Sequence, residues 1–190
     1  MYNINELKAQ LIQAGKLLWD KDLVGGLNGN ISFRVDARSI LITARGGCLG
    51  CLDDSRIVHL GLDGAVLAGG EPSSEKLLHL EIYRRMPDVA VILHTHTTFT
   101  NAFFLKNDVF KSETFEGAYV LGEVVAVDQS SINVADVGPV VDKLVLNPIA
   151  ALRRHGVVSV GVKWFDAFVR IQTLEEQVKM AAVARLFAKG

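Results

Sequence analysis

The chain has 190 residues, 49% hydrophobic and 22% charged, the balance of a globular protein with enough apolar material for a substantial core. Twenty Lys and Arg against 21 Asp and Glu leave a formal charge of −1, which offers no basic surface to nucleic acid or an anionic membrane. No apolar run reaches the roughly 20 residues of a membrane span, the opening MYNINELKAQ lacks a charged-then-apolar leader, and two cysteines make no disulfide framework; one cytoplasmic domain over residues 1–190 is expected.

In chain order, Ile4, Leu7, Leu11, Ala14 and Leu18 recur at helical spacing over residues 4–19, and Gly25-Gly26 ends that region. Short strands are expected at 31–35 and 39–43 about a turn at Asp36, then a loop at 46–54 with three glycines and both cysteines. A strand at 57–62 turns at Asp63-Gly64 into a partner at 65–68. Pro72-Ser73-Ser74 opens a helix to Met86, which either serine can cap and Pro87 stops. Residues 89–98 read as a strongly apolar strand, 101–105 as a short helix and 118–127 as a strand. Residues 134–146 read as a helix whose start Pro139 weakens, and strands at 149–153 and 157–160 flank His155-Gly156. Residues 165–189 form one long helix; Thr173 with Glu176 imitates a capping box, yet no Gly or Pro interrupts the run. Interleaved helices and tightly turned strands predict an α/β domain with a mixed or largely antiparallel sheet.

The strongest chemical signal is His94-Thr95-His96. Alternation along a strand sends both imidazoles to one face, where two nitrogens can bind one divalent metal. A hydrogen-bonded pair of structural histidines satisfies the same pattern. His155, at a strand end before glycine, can supply a third nitrogen. His59 reads as a packed strand residue, and His79, four residues after Glu75, as a second neighbour of the site or a structural group. Glu75 sits at a helix start, where a carboxylate either complements the helix dipole or serves as ligand or general base. The segment GGLNGNIS, and the Ser73-Ser74 helix start, offer backbone amides and hydroxyls to an anion; neither contains a GxGxxG fingerprint. Cys48 and Cys51 form a single CxxC, readable as a redox pair, half a zinc site or two reduced loop thiols.

Taken together, GNIS (29–32), LIT (41–43), PSSE (72–75), RRMPD (84–88), HTH (94–96) and RRHGVVSVG (153–161) resemble the class II aldolase/adducin family over residues 5–188. The resemblance implies a three-layer αβα fold with a central, mainly antiparallel β-sheet flanked by helices, and a homotetramer with active sites at subunit interfaces. It implies that His94, His96 and His155 bind a divalent metal, zinc before manganese or cobalt, and that Glu75 is the acid/base. Gly29, Asn30, Thr43, Ser73 and Ser74 match positions that hold substrate phosphate. The implied activity is metal-dependent aldol cleavage of a sugar phosphate through an enediolate. Decarboxylation or dehydration on the same site is the alternative, and a non-catalytic, adducin-like interaction module is the reading of another class.

Two departures bear on specificity. The family continues after the threonine with Pro-Ser-Gly, whereas this chain has Ala44-Arg45-Gly46. Arg45 is either solvated or, with Gly46, a clamp for phosphate or carboxylate. Nineteen residues after His96, where aldolases of the family carry a proton-donating tyrosine lent by a neighbouring subunit, stands Phe115, with Tyr119 out of register.

Overall fold

A computed structural model describes residues 3–134 and 136–188. Helix α1 (Ile4–Asp20) begins where the Asn3 side chain accepts the Asn5 N–H, and it lays Leu7, Leu11, Ala14 and Leu18 into the core. Strands β1 (Asn30–Arg34), β2 (Ser39–Thr43), β3 (Ile57–Gly61) and β4 (Val66–Ala68) follow as an antiparallel meander. Helix α2 (Lys76–Arg85) leads to β5 (Val91–Thr95), which pairs antiparallel with β1 on its free edge. Next come α3 (Thr98–Phe104), β6 (Val109–Lys111), α4 (Phe115–Leu121) and β7 (Glu123–Val127). Helix α5 (Gly138–Leu146), β8 (Ile149–Leu152), β9 (Gly156–Gly161) and α6 (Trp164–Phe187) complete the chain.

Among the described residues, nine strands make one sheet in the order β4-β3-β2-β1-β5-β9-β8-β7-β6. Every neighbouring pair is antiparallel except β7 and β8. Two apolar clusters cover its two faces. Val91, Leu93 and Val157 join residues of α1, α3, α4 and α6, while Ile92, Val158 and Val160 join α2 and α5. The alternation of consecutive residues between clusters is the strand period of two. Covering both faces explains why β5 is buried along its whole length and β9 along all but its last residue, with apolar side chains at most positions. Among the described residues, no helix is long and apolar enough to cross a membrane.

Several boundaries differ from the sequence reading. Residues 118–127 are not one strand. Thr114 caps α4 by accepting the Gly117 N–H at 3.1 Å, and Gly122, at φ +58°, ends it before β7. Tyr, Val and Leu in AYVL favour strands only weakly against such a cap and stop. Strand β6 has no counterpart among the strands expected from the sequence. Neither Ser73 nor Ser74 occupies the cap position of α2; Glu75 does, with the helix proper starting at Lys76. The 89–98 strand is confined to Val91–Thr95, because α3 takes over at Thr98. Pro139 opens α5 rather than weakening it, as its missing N–H has no partner to lose there. The long terminal helix is continuous through Thr173.

Candidate active site

The pairing of β1 with β5 sets Asn30 directly across from His94. Both project toward the side covered by α2, whose cap residue Glu75 enters between them. His96 follows β5 with the same parity as His94. His155 arrives from the turn before β9, and β9 pairs with β5 on the other edge. That turn is held by Asn101, whose side-chain amide donates to the His155 carbonyl at 3.2 Å. Gly156 is required at the junction. A Cβ there would overlap the Thr95 carbonyl and come within 2.9 Å of His94 Cε1 and 3.0 Å of His96 Cδ2. Gly29, at φ +83°, is likewise fixed by the His94 carbonyl, 2.7 Å from where its Cβ would be.

The three imidazoles stand edge to face, with ring centroids 4.8–4.9 Å apart. His94 Nε2 lies 2.9 Å from His96 Nε2 and 3.1 Å from Glu75 Oε2, and His155 Nε2 lies 3.1 Å from Glu75 Oε1. One ligand atom from each histidine falls within 4.8 Å of the others, and among the described residues this is the group placed to hold a metal ion. Hydrogen bonding agrees with that use. His94 Nδ1 faces the Val157 carbonyl at 3.0 Å, so Nδ1 carries the ring proton and Nε2 presents a lone pair. That lone pair faces a carboxylate and a second imidazole, a set of acceptors that a bound cation would satisfy. Three imidazoles beside a carboxylate form a donor set suited to zinc, manganese or cobalt.

Burial lowers the pKa of His94 and, with the neighbouring histidines, takes that of His96 down to about 3. Neutral imidazole is the metal-binding form. For Glu75, burial works to raise the pKa, but His94, His155 and the Asn30 hydrogen bond outweigh it and hold the carboxyl well below the usual range. The group is therefore an ionised base, buried among polar partners.

A cavity of about 240 Å³ opens above these groups, lined by Gly29, Asn30, Arg45, Gly46, Ser73, Ser74, Glu75, His96 and His155 among others. All but two of the residues expected from sequence thus meet at one opening. His94 lies just beneath it, wholly buried. Thr43 is not on the wall either; it sits behind it, with Oγ1 accepting the Ile31 N–H at 3.2 Å. Asn30, on the cavity wall, also has protein partners. Its Nδ2 donates to Glu75 Oε2 at 2.8 Å and its Oδ1 lies 2.5 Å from His79 Nε2. Ser73 Oγ accepts the Glu75 N–H at 3.3 Å, while Ser74 is exposed. Arg45 is an exposed rim residue paired with Glu71 at 2.8 Å, a link weak enough in water for an anion to displace. Ile132 and Asn133 also line the cavity, and nothing in their sequence signals it. A larger cleft of about 640 Å³, between Tyr119 and Arg170, contains no such cluster of ligands. Cys48 and Cys51 are free thiols outside the histidine group, and His59 is half-buried on β3 rather than in the core.

The model of the class II aldolase and adducin N-terminal domain matches residues 9–182. The L-fuculose phosphate aldolase of Methanocaldococcus jannaschii is 34% identical over 185 residues, covering 96% of this chain and 99% of that one. The 3-oxo-tetronate 4-phosphate decarboxylase of Pectobacterium atrosepticum is 30% identical over 179 residues, covering 91% and 82%. Among solved structures, the L-fuculose-1-phosphate aldolase of Thermus thermophilus superposes with a TM-score of 0.88 at 26% identity, covering 97% of this chain and 96% of that one.

Proposed function

The chain belongs to the class II aldolase and adducin N-terminal domain family and is an aldolase-type lyase, and on that premise we propose that it cleaves a carbon–carbon bond of a phosphorylated ketose. Residues 1–190 act as one catalytic unit, with His94, His96 and His155 holding zinc and Glu75 as acid/base. The observation that carries this reading is the Glu75 carboxylate, 3.1 Å from both His94 Nε2 and His155 Nε2 at the base of the cavity.

A divalent ion bound at the triad supplies Lewis-acid polarisation of a substrate carbonyl and its neighbouring hydroxyl. The protein does the rest. Burial keeps the imidazoles neutral and strengthens the interactions of the buried Glu75 carboxylate. Gly29, Gly46, Ser73, Ser74 and Arg45 receive the phosphate at the outer end, where glycine backbone can approach closely and a guanidinium can pair with two oxygens. In cleavage the ionised Glu75 takes the proton of the hydroxyl on the carbon that becomes the aldehyde; the carbon–carbon electron pair passes to the neighbouring carbon, and Glu75 returns the proton there, the reverse direction retracing both transfers.

Copies of the chain assemble as a homotetramer in the cytoplasm. Supporting an assembly, Phe115 and Tyr119 lie one helical turn apart on α4 and are 99% and 92% exposed, a large apolar surface for a monomer to leave in water. A second reading, decarboxylation of a phosphorylated keto acid, is favoured by the decarboxylase relative and by phenylalanine rather than tyrosine at 115. The test is to incubate the zinc-loaded chain with L-fuculose 1-phosphate and with a 3-oxo-tetronate 4-phosphate. Aldehyde release from the first, lost after chelation, supports the aldolase; carbon dioxide from the second alone supports the decarboxylase.

A further inference from the structure

Behind Glu75 runs a directed chain of buried hydrogen bonds. His79, on the second turn of α2, is wholly buried. Its Nε2 lies 2.5 Å from Asn30 Oδ1 and its Nδ1 lies 2.6 Å from Ser32 Oγ. Asn30 in turn gives its Nδ2 to Glu75 Oε2 at 2.8 Å. Each orientation follows from the next. An ionised carboxylate only accepts, so the amide nitrogen of Asn30 must face Glu75 and its oxygen must face His79. An amide oxygen also only accepts, so His79 Nε2 carries the ring proton. His79 Nδ1 is then an acceptor, and the Ser32 hydroxyl donates to it. The Tyr83 hydroxyl closes the far end by donating to the Ser32 carbonyl at 3.0 Å. Reversing any one group would set acceptor against acceptor inside the core, at a cost that buried polar groups do not tolerate.

The hydrogen-bond chain ends on the Glu75 carboxylate, which faces His94 and His155. Burial takes the His79 pKa to about 3, so the ring stays neutral and its tautomer constant. A side chain needed only to fill space at this point of α2 would be met by leucine or phenylalanine, with no polar atoms to satisfy.

We propose that His79 and Asn30 are positioning residues for the reaction, holding the Glu75 carboxylate in register with His94 and His155 through the Ser32–His79–Asn30–Glu75 hydrogen-bond chain. The proposal rests on the reading of Glu75 as acid/base.

The test uses the zinc-loaded full chain, with L-fuculose 1-phosphate as probe substrate. His79→Phe keeps the bulk of the ring and deletes both hydrogen bonds. It is expected to lower kcat by roughly 10- to 100-fold, the usual effect of removing a partner that orients an active-site group, while KM stays nearly constant. His79→Gln, whose carboxamide can both donate to Asn30 and accept from Ser32, is expected to recover most of that loss. In a Glu75→Gln background His79→Phe is expected to add no further loss, because its effect passes through Glu75. A crystal structure of zinc-loaded His79→Phe gives a readout apart from turnover: the Glu75 carboxylate should leave its contacts with His94 and His155. A folded His79→Phe protein with native kcat and an undisplaced Glu75 would overturn the proposal. So would an equal loss in the Glu75→Gln background. If Glu75→Gln alone retains turnover, the acid/base reading fails instead, and the position of Glu75 in the His79→Phe crystal still decides the positioning role. Should His79→Phe not fold, Asn30→Asp, which sets a second carboxylate against Glu75, takes its place with the same readouts.

Discussion

The imidazole of His94 donates from Nδ1 to the backbone carbonyl of Val157 at 3.0 Å, across the β5–β9 pairing. That bond turns Nε2, as a bare lone pair, toward Glu75 and His96. It also ties the ligand to the sheet, so the ring is oriented before any ion arrives.

Replacing that ring should therefore empty the site without unfolding the sheet. We expect about one divalent ion per native chain and almost none in His94→Ala, read by elemental analysis after gel filtration. Full metal content in His94→Ala would place the ion elsewhere.

Glu75→Gln keeps the shape of the side chain and removes its charge. Turnover should fall by roughly 10²-fold or more, with the far-ultraviolet circular dichroism unchanged. Near-native turnover would remove Glu75 from the proton-transfer role.

Gly156→Ala introduces a methyl group between the Thr95 carbonyl and the rings of His94 and His96. The rings must give way, since the backbone of β9 is held by its pairing with β5 and β8. Zinc affinity, measured by competition with a chromogenic chelator, should drop by roughly 10-fold or more. An unchanged affinity would show that the turn yields instead.

His79 makes the metal-free protein sensitive to acid. Its folded pKa, about 3, lies below the ordinary value of 6.5, so between those values the unfolded chain binds a proton that the folded chain refuses. Stability is full above pH 6.5 and is lost as pH falls toward 3, by about 1.4 kcal/mol per unit for this group. Urea midpoints at pH 7, 6 and 5 should thus fall more steeply for the native chain than for His79→Phe. Parallel slopes would mean that the buried ring takes up a proton without unfolding.

Glu175 anchors the segment that follows the histidine pair. Buried on α6, it accepts the Phe99 N–H at 3.0 Å and both the Thr100 N–H and hydroxyl, at 2.9 and 2.8 Å, at the start of α3. Glu175→Ala strands those donors and should cost about 2–4 kcal/mol in urea unfolding. A loss under 1 kcal/mol would indicate that water replaces the carboxylate.

Much of this was legible in the sequence for local reasons. The 3.6-residue period of Leu7, Leu11, Ala14 and Leu18 wrote α1, and the two-residue period of His94 and His96 put both rings on one side of β5. Glycine at 156 was readable as a special position next to a candidate ligand. Less legible was α4, whose strand-like composition concealed the Thr114 cap and the Gly122 stop. The partners of Asn30 were not legible either. Only the packing of α2 against β1 brings its side-chain amide to Glu75 and His79.

The sequence by itself determined which residue types were available and on which face of its own element each would lie, because helix and strand periods are properties of the local backbone. The tertiary structure alone decided which faces meet. Glu75, His94 and His155 are separated by 19 and 61 residues, and no local rule brings Glu75 within 3.1 Å of both histidines. That convergence requires β5 to insert between β1 and β9, an outcome of burying both faces of the sheet at once.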